Sequence, residues 1–167
     1  MLSVPESDRD ELARLTLQAL GYGDESVGDA TDALQAFYAL NAYGEALGRE
    51  RRKAPGDDLM SAMVTAEVES EHLTDHDIGV YFQLLITAGI ETTASSIAQG
   101  MRFLAEHPDQ WADWRKDYDG LVATALEEIV RYATPVVHFG RTVGVDTEIA
   151  GQSIAAGEQV VFWYNSA

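Results

Sequence analysis

The chain has 167 residues, 46% hydrophobic and 23% charged, with 28 acidic side chains against 11 basic ones and a formal net charge of −17. That size and composition suit a globular domain with a sizeable core. The acidic balance excludes a nucleic-acid binder, which needs a positive footprint, and works against an anionic membrane surface. Cysteine is absent, so these residues hold no disulfide, thiolate metal site or cysteine nucleophile. The four histidines, His72, His76, His107 and His138, are scattered along the chain.

The N-terminal stretch through Arg9 is acidic and polar, without the basic and apolar regions of a signal peptide. Glu6 to Leu20 reads as a helix with Leu12, Leu15 and Leu20 on its apolar side. A glycine-rich break from Gly21 to Gly28 follows. Asp29 to about Lys53 reads as a second helix, with Leu34, Phe37, Tyr38, Leu40 and Leu47 as packing positions. Its end carries Arg49, Arg51, Arg52 and Lys53, which suits cations at a helix C-terminus. Ala54-Pro-Gly stops it, Asp57-Asp58 starts a short helix through Met60, Met63 and Val64, and Val68 to Leu73 reads as a polar connection.

Thr74 reads as an N-cap, with Asp75 and Asp77 in the first turn. No proline then interrupts the chain until Pro108, which predicts one long central helix over about 74–107, roughly 45 Å long. Its first half is apolar nearly all round, which predicts a central helix rather than a surface one. The longest uncharged run, Ile78 to Ile90, is shorter than the roughly 20 residues of a membrane span. A short helix holding Trp111 and Trp114 comes next, broken at Asp119-Gly120, and Leu121 to about Tyr132 reads as another, closed before Pro135. From Val136 the chain turns β-branched and aromatic, with Gly144, Gly151 and Gly157 between the runs, which predicts short strands. The expected fold class is mainly α with a small β-sheet, in a single partial domain over 1–167.

Two constellations stand out. At the midpoint of the long helix lies Ala88-Gly-Ile-Glu-Thr-Thr. An interior glycine costs about 1 kcal/mol relative to alanine, a buried carboxylate needs partners, and a threonine can bond the carbonyl four residues back, here that of Ala88. Such a run suits a helix-packing notch with Glu91 neutralised by an arginine. It equally suits a place where a flat, bulky group lies against the backbone with Thr92 facing it. In the second constellation Glu128 and Arg131 share a helix face and can pair, as many surface ion pairs do. Three residues after His138, Arg141 lies on a strand and could serve an anion at the edge of a pocket.

Together, Thr74-Asp-His-Asp-Ile, Ala88-Gly-Ile-Glu-Thr-Thr, Glu128-Ile-Val-Arg-Tyr and Thr134-Pro-Val-Val-His-Phe-Gly-Arg-Thr, in that order, resemble the middle of a cytochrome P-450, a haem-thiolate monooxygenase of the bacterial soluble type. Val4-Pro-Glu-Ser-Asp-Arg, Pro55-Gly-Asp-Asp-Leu-Met-Ser-Ala and Gly151-Gln-Ser-Ile-Ala-Ala-Gly-Glu extend the resemblance over essentially the whole chain. It implies an α-rich P-450 fold, present in part, and haem b (iron protoporphyrin IX) as cofactor. Ala88 and Gly89 match the positions where the long helix crosses the distal haem face. Thr92 matches the threonine that holds dioxygen and its water by hydrogen bonds, and Glu91 the acid that helps deliver protons.

Glu128 and Arg131 match the structural pair that braces the haem-binding core, and Arg141 the arginine that binds a haem propionate. Val136, Val137 and Leu85 match pocket-lining positions. His138 lies in the region for a propionate or pocket contact, while a lone histidine is more often a packed side chain. Thr16 to Ala39 matches the region that roofs the pocket. The iron ligand of the family is a cysteine thiolate, so the resemblance places no metal ligand in these residues and puts that cysteine beyond Ala167, in a longer parent enzyme. The fragment alone is expected to be inactive. The implied activity is insertion of one oxygen atom from O2 into an apolar small molecule such as a steroid, terpenoid or lipid, with electrons from a ferredoxin-type donor in the cytoplasm and without a membrane. The alternative is an all-helical regulatory module that binds a small molecule without catalysis. A helical scaffold is a third reading.

Overall fold

The computed structural model describes residues 2–21 and 26–166. The expected break between Gly21 and Gly28 lies partly outside them. Contacts divide the chain into two compact units, Met1–Glu91 and Thr92–Ala167, with the boundary inside the long helix.

In the first unit a 3-10 turn at Glu6–Asp8 precedes α1 (Arg9–Leu20), so the helix begins three residues later than the periodicity predicts. Helix α2 (Ala30–Lys53) starts at Asp29. The Asp29 carboxylate accepts from the Thr31 and Asp32 amides at 2.7 and 3.0 Å, and Asp32 accepts from the Asp29 amide at 3.2 Å. This reciprocal box satisfies donors that a helix start leaves unpaired. Helix α3 (Leu59–Thr65) is capped by Asp58. The connection expected over Val68 to Leu73 instead holds a minimal hairpin, β1 (Glu67–Val68) and β2 (Glu71–His72), turned by Glu69 and Ser70 at positive φ. Helix α4 (Asp75–Glu106) follows, with Thr74 and Asp77 exchanging hydrogen bonds across its first turn.

The core joins Leu12 and Ala19 of α1, Ala36 and Leu40 of α2, Met60 and Val64 of α3, and Ile78, Phe82 and Ile86 of α4. The buried stripe of α2 is Ala33, Ala36, Leu40, Gly44 and Gly48. Leu34 and Tyr38, expected to pack, are 52% and 68% exposed, and Leu20 of α1 also faces out. Small residues win the inward face because α2 presses closely on α4. A Cβ on Gly44 would lie 2.5 Å from Phe82 Cβ, and one on Gly48 2.6 Å from Ile78 Cγ2. A Cβ on Gly79 would lie 2.7 Å from the Asn41 backbone oxygen. Among the described residues the first half of α4 packs against this core on one side, and Val80, Tyr81 and Leu84 are exposed.

The basic end of α2 does more than complement its macrodipole. Arg52 pairs with Asp75 at 3.1 Å and donates to the Val64 and Leu73 carbonyls, tying the ends of α2 and α3 to the start of α4. Arg51 donates to Asp58 at 2.9 Å and to the Ser3 carbonyl at 3.1 Å. Burial pushes the Asp58 carboxyl up. The Ser61 amide, the Arg51 guanidinium and the Ser61 hydroxyl outweigh it and bring the pKa from 3.8 down to about 2. A depressed carboxyl contributes stability that is complete above its unfolded pKa and fades as pH falls through its folded one. Asp58→Asn, which keeps a neutral cap, is therefore expected to cost about 1 kcal/mol near neutral pH. The gap from wild type should close as pH falls from 3.8 towards 2, a trend that denaturant titrations of both proteins would follow.

In the second unit α5 (Pro108–Lys116) is followed by α6 (Tyr118–Ala133). The break expected at Asp119-Gly120 falls instead at Asp117, whose side chain accepts from the Gly120 amide at 3.2 Å and turns Asp119-Gly120 into a first turn. Within this unit α4 and α6 meet at Gly100, where a Cβ would lie 2.8 Å from Ile129 Cγ2. Trp114 stacks on Tyr118 and meets Trp111 edge-on. Thr134, left-handed at φ 41°, turns the chain out of α6.

Strand β3 (His138–Thr142) pairs antiparallel with β6 (Gln159–Trp163), and β4 (Thr147–Ile149) with β5 (Gln152–Ile154). The small sheet expected at the C-terminal end is thus two separate two-stranded ladders among the described residues. The result is mainly α with minor β, as expected, and an all-helical fold does not describe it. Among the described residues no helix is long and apolar enough to cross a membrane.

Candidate functional site

Helix α4 runs unbroken through Ala88-Gly-Ile-Glu-Thr-Thr. Its three glycines have different surroundings. Gly79 and Gly100 are pressed by the Asn41 carbonyl and the Ile129 side chain, whereas nothing lies within 4 Å of a Cβ built on Gly89. Ala88, Gly89, Ile90 and Glu91 are all exposed and Leu85 is half-buried. Glu91, expected in an apolar interior, thus meets solvent, and the packing-notch reading finds no occupant among the described residues. Thr92 is half-buried one turn beyond Ala88.

Glu128 and Arg131 form a fork on α6, with Nε and Nη2 of the arginine each donating to a carboxylate oxygen at 2.7 Å. This hydrogen bonding to Arg131 lowers the Glu128 pKa and raises that of the arginine. The pair is exposed, and Tyr132 beside it packs edge-on against Phe103 of α4.

Strand alternation separates the two β3 candidates. Phe139 and Arg141 share one face. His138 lies on the other, opposite Trp163 and tilted against its ring at 4.9 Å. His138 is exposed beside the Trp163 ring and lies on the opposite face of β3 from Arg141. Among the described residues Arg141 meets no carboxylate. It donates to the Gly140 carbonyl at 2.8 Å and lies over the Phe139 ring at 5.4 Å. Val136 is half-buried and Val137 is exposed ahead of the strand. Phe139 is the residue that sequence reasoning passed over, although its place two before Arg141 on a strand signals a shared face.

Two grooves open in the second unit. One, of about 530 Å³, is lined by Thr92, Ser96, Gly100 and residues of α5 and α6. The other, of about 490 Å³, is lined by Phe103, Trp114, Glu128 and Tyr132. Both are gaps between helices. Neither includes Leu85, Ala88, Gly89, Val136, Val137, His138 or Arg141. Among the described residues no cluster of His, Cys, Asp and Glu could hold a metal ion.

The family model for Cytochrome P450 matches residues 35–167. This chain belongs to the cytochrome P450 family. Across its whole length it is 41% identical to a methyl-branched lipid omega-hydroxylase of Mycobacterium tuberculosis, covering 39% of that protein. It is 37% identical to a steroid C26-monooxygenase of Mycolicibacterium smegmatis, covering 38% of it. A Mycobacterium marinum cytochrome P450 solved with pseudoionone is 39% identical and superposes with a TM-score of 0.92, over 99% of this chain and 41% of that one. A Bacillus megaterium P450 solved with testosterone is 30% identical with a TM-score of 0.83, over 99% and 44%. The chain thus spans about two-fifths of the length of the relatives it matches.

Membership implies haem b in the full-length P450. The residues present suit it one by one: at Gly89 a helix step with no described atom within 4 Å of a Cβ, which leaves room for a flat macrocycle, and at Arg141 a guanidinium that meets no carboxylate among the described residues, which suits an acidic substituent.

Proposed function

We propose that this chain forms the distal-helix and propionate-binding part of a haem monooxygenase that hydroxylates an apolar small molecule of the branched-lipid or steroid class. Haem, when bound, supplies the activation of O2. Ala88 and Gly89 of α4 let the ring lie close to the helix backbone. Arg141 holds a propionate by a charge-assisted bond. The Thr92 hydroxyl both donates and accepts, so it can hold a proton donor at the distal side, and the exposed Glu91 carboxylate can take up protons from solvent and pass them on. Leu85, Val136 and Val137 supply apolar wall for the substrate. A ferredoxin-type donor and a cytoplasmic location belong to the same proposal.

The observation that carries this reading is Gly89. An interior helix glycine costs about 1 kcal/mol, and here no neighbour among the described residues accounts for it. The names of the lipid and steroid hydroxylases similar to this chain support the substrate class. The test is to incubate the haem-loaded enzyme, a ferredoxin system and isotopically labelled O2 with methyl-branched fatty acids and with steroids. One labelled oxygen atom is expected in a hydroxylated product of at least one class. Turnover of neither class, with haem and reductant intact, would overturn the substrate assignment.

A further inference from the structure

Arg141 is the cation on which the cofactor assignment rests most directly, and its side chain is long, exposed and flexible. What fixes it lies on the same strand. Phe139 occupies the same face of β3 two residues earlier, and the Arg141 guanidinium sits over its ring at 5.4 Å from the centroid. The ring in turn is fixed. Tyr164 meets it edge-on at 6.2 Å and 83°, and Phe162 stands directly opposite on β6. The Tyr164 amide donates to the Val137 carbonyl at 3.0 Å, which anchors the end of the ladder beside Phe139. An arginine attracted to an aromatic face keeps its N–H edge free for planar recognition of a carboxylate. Its other anchor, the Gly140 carbonyl, uses only Nη1.

We infer that Phe139 is a positioning residue for the cofactor: its ring holds the Arg141 guanidinium in place to receive a haem propionate. This rests on the assignment of Arg141 to a propionate. Holding the guanidinium in one orientation before haem arrives lowers the ordering cost of binding. The effect is on haem retention and acts through Arg141.

The test is a double-mutant cycle on the haem-loaded enzyme, read as the rate of haem transfer to excess apomyoglobin. Phe139→Leu should speed release about two- to fivefold, the range expected from an exposed cation–π contact, and Phe139→Tyr should restore the wild-type rate. In an Arg141→Gln background, Phe139→Leu should add nothing. Thermal unfolding of the haem-free proteins checks that the strand pair survives each change. An equal effect of Phe139→Leu in both backgrounds would overturn the inference, because the ring would then act by packing alone. No change in release on Arg141→Gln would instead overturn the propionate assignment itself.

Discussion

Replacing Phe82 by alanine is expected to cost about 4 kcal/mol of folding stability, the range for deleting a buried aromatic ring. Phe82 is fully buried at the contact of α2 with the first half of α4, facing Gly44 and tilted against Tyr43 at 5.4 Å. Tyr43 is itself committed there. Its hydroxyl donates to Asp8 at 2.7 Å, and burial, helped by that hydrogen bond, pushes its pKa well above the ordinary 10.0. Four kcal/mol is a large fraction of the total of about 5–15 for a typical protein, so the variant should unfold at markedly lower denaturant. Adding a methyl at the same contact should also hurt. Gly44→Ala gains about 1 kcal/mol of helix propensity but overpacks against Phe82, at a cost of about 1–3 kcal/mol. Gly89→Ala, with open space around it, should gain stability in the haem-free protein. A loss below about 1 kcal/mol on Phe82→Ala would mean that the two helices are not held by this contact.

The helix limits were legible because local chemistry sets them. Asp29, Asp58 and Thr74 cap as their residue types suggest, and Pro55 and Pro108 fall where α2 and α4 end. The misses share a different cause: long-range geometry overrode the local signal. Leu34 and Tyr38 lost the inward face to Ala36, Gly44 and Gly48, since a close helix crossing selects small residues and not the most hydrophobic ones. The β1–β2 hairpin turns on Glu69 and Ser70 at positive φ, without the glycine or asparagine that such turns favour. Arg52 reads as a helix-end cation, and only the fold brings the Val64 and Leu73 carbonyls within its reach.

The site was legible in part for the same reason. Gly89, Glu91 and Thr92 stand out because each breaks a local rule for helix interiors, and the structure adds that no described atom lies within 4 Å of a Cβ on Gly89. Strand alternation, once the register was known, parted His138 from Arg141 and brought in Phe139. Residue identities alone could not decide that, because the register depends on the pairing of β3 with β6.

The central claim is that Thr92 and Glu91 handle protons for oxygen insertion. A threonine hydroxyl can relay a proton, and alanine cannot. Positioned proton transfer is worth about 10²–10⁴ in rate, so losing it should divert reduced dioxygen towards hydrogen peroxide and away from product. Glu91→Gln should slow turnover through the same step, and Thr92→Ser should behave like wild type. The decisive measurement is the ratio of product formed to O2 consumed for Thr92→Ala in the haem-loaded enzyme. A fall of about tenfold or more, with peroxide accounting for the missing O2, is the result predicted. An unchanged ratio at normal haem content would contradict the assignment of Thr92.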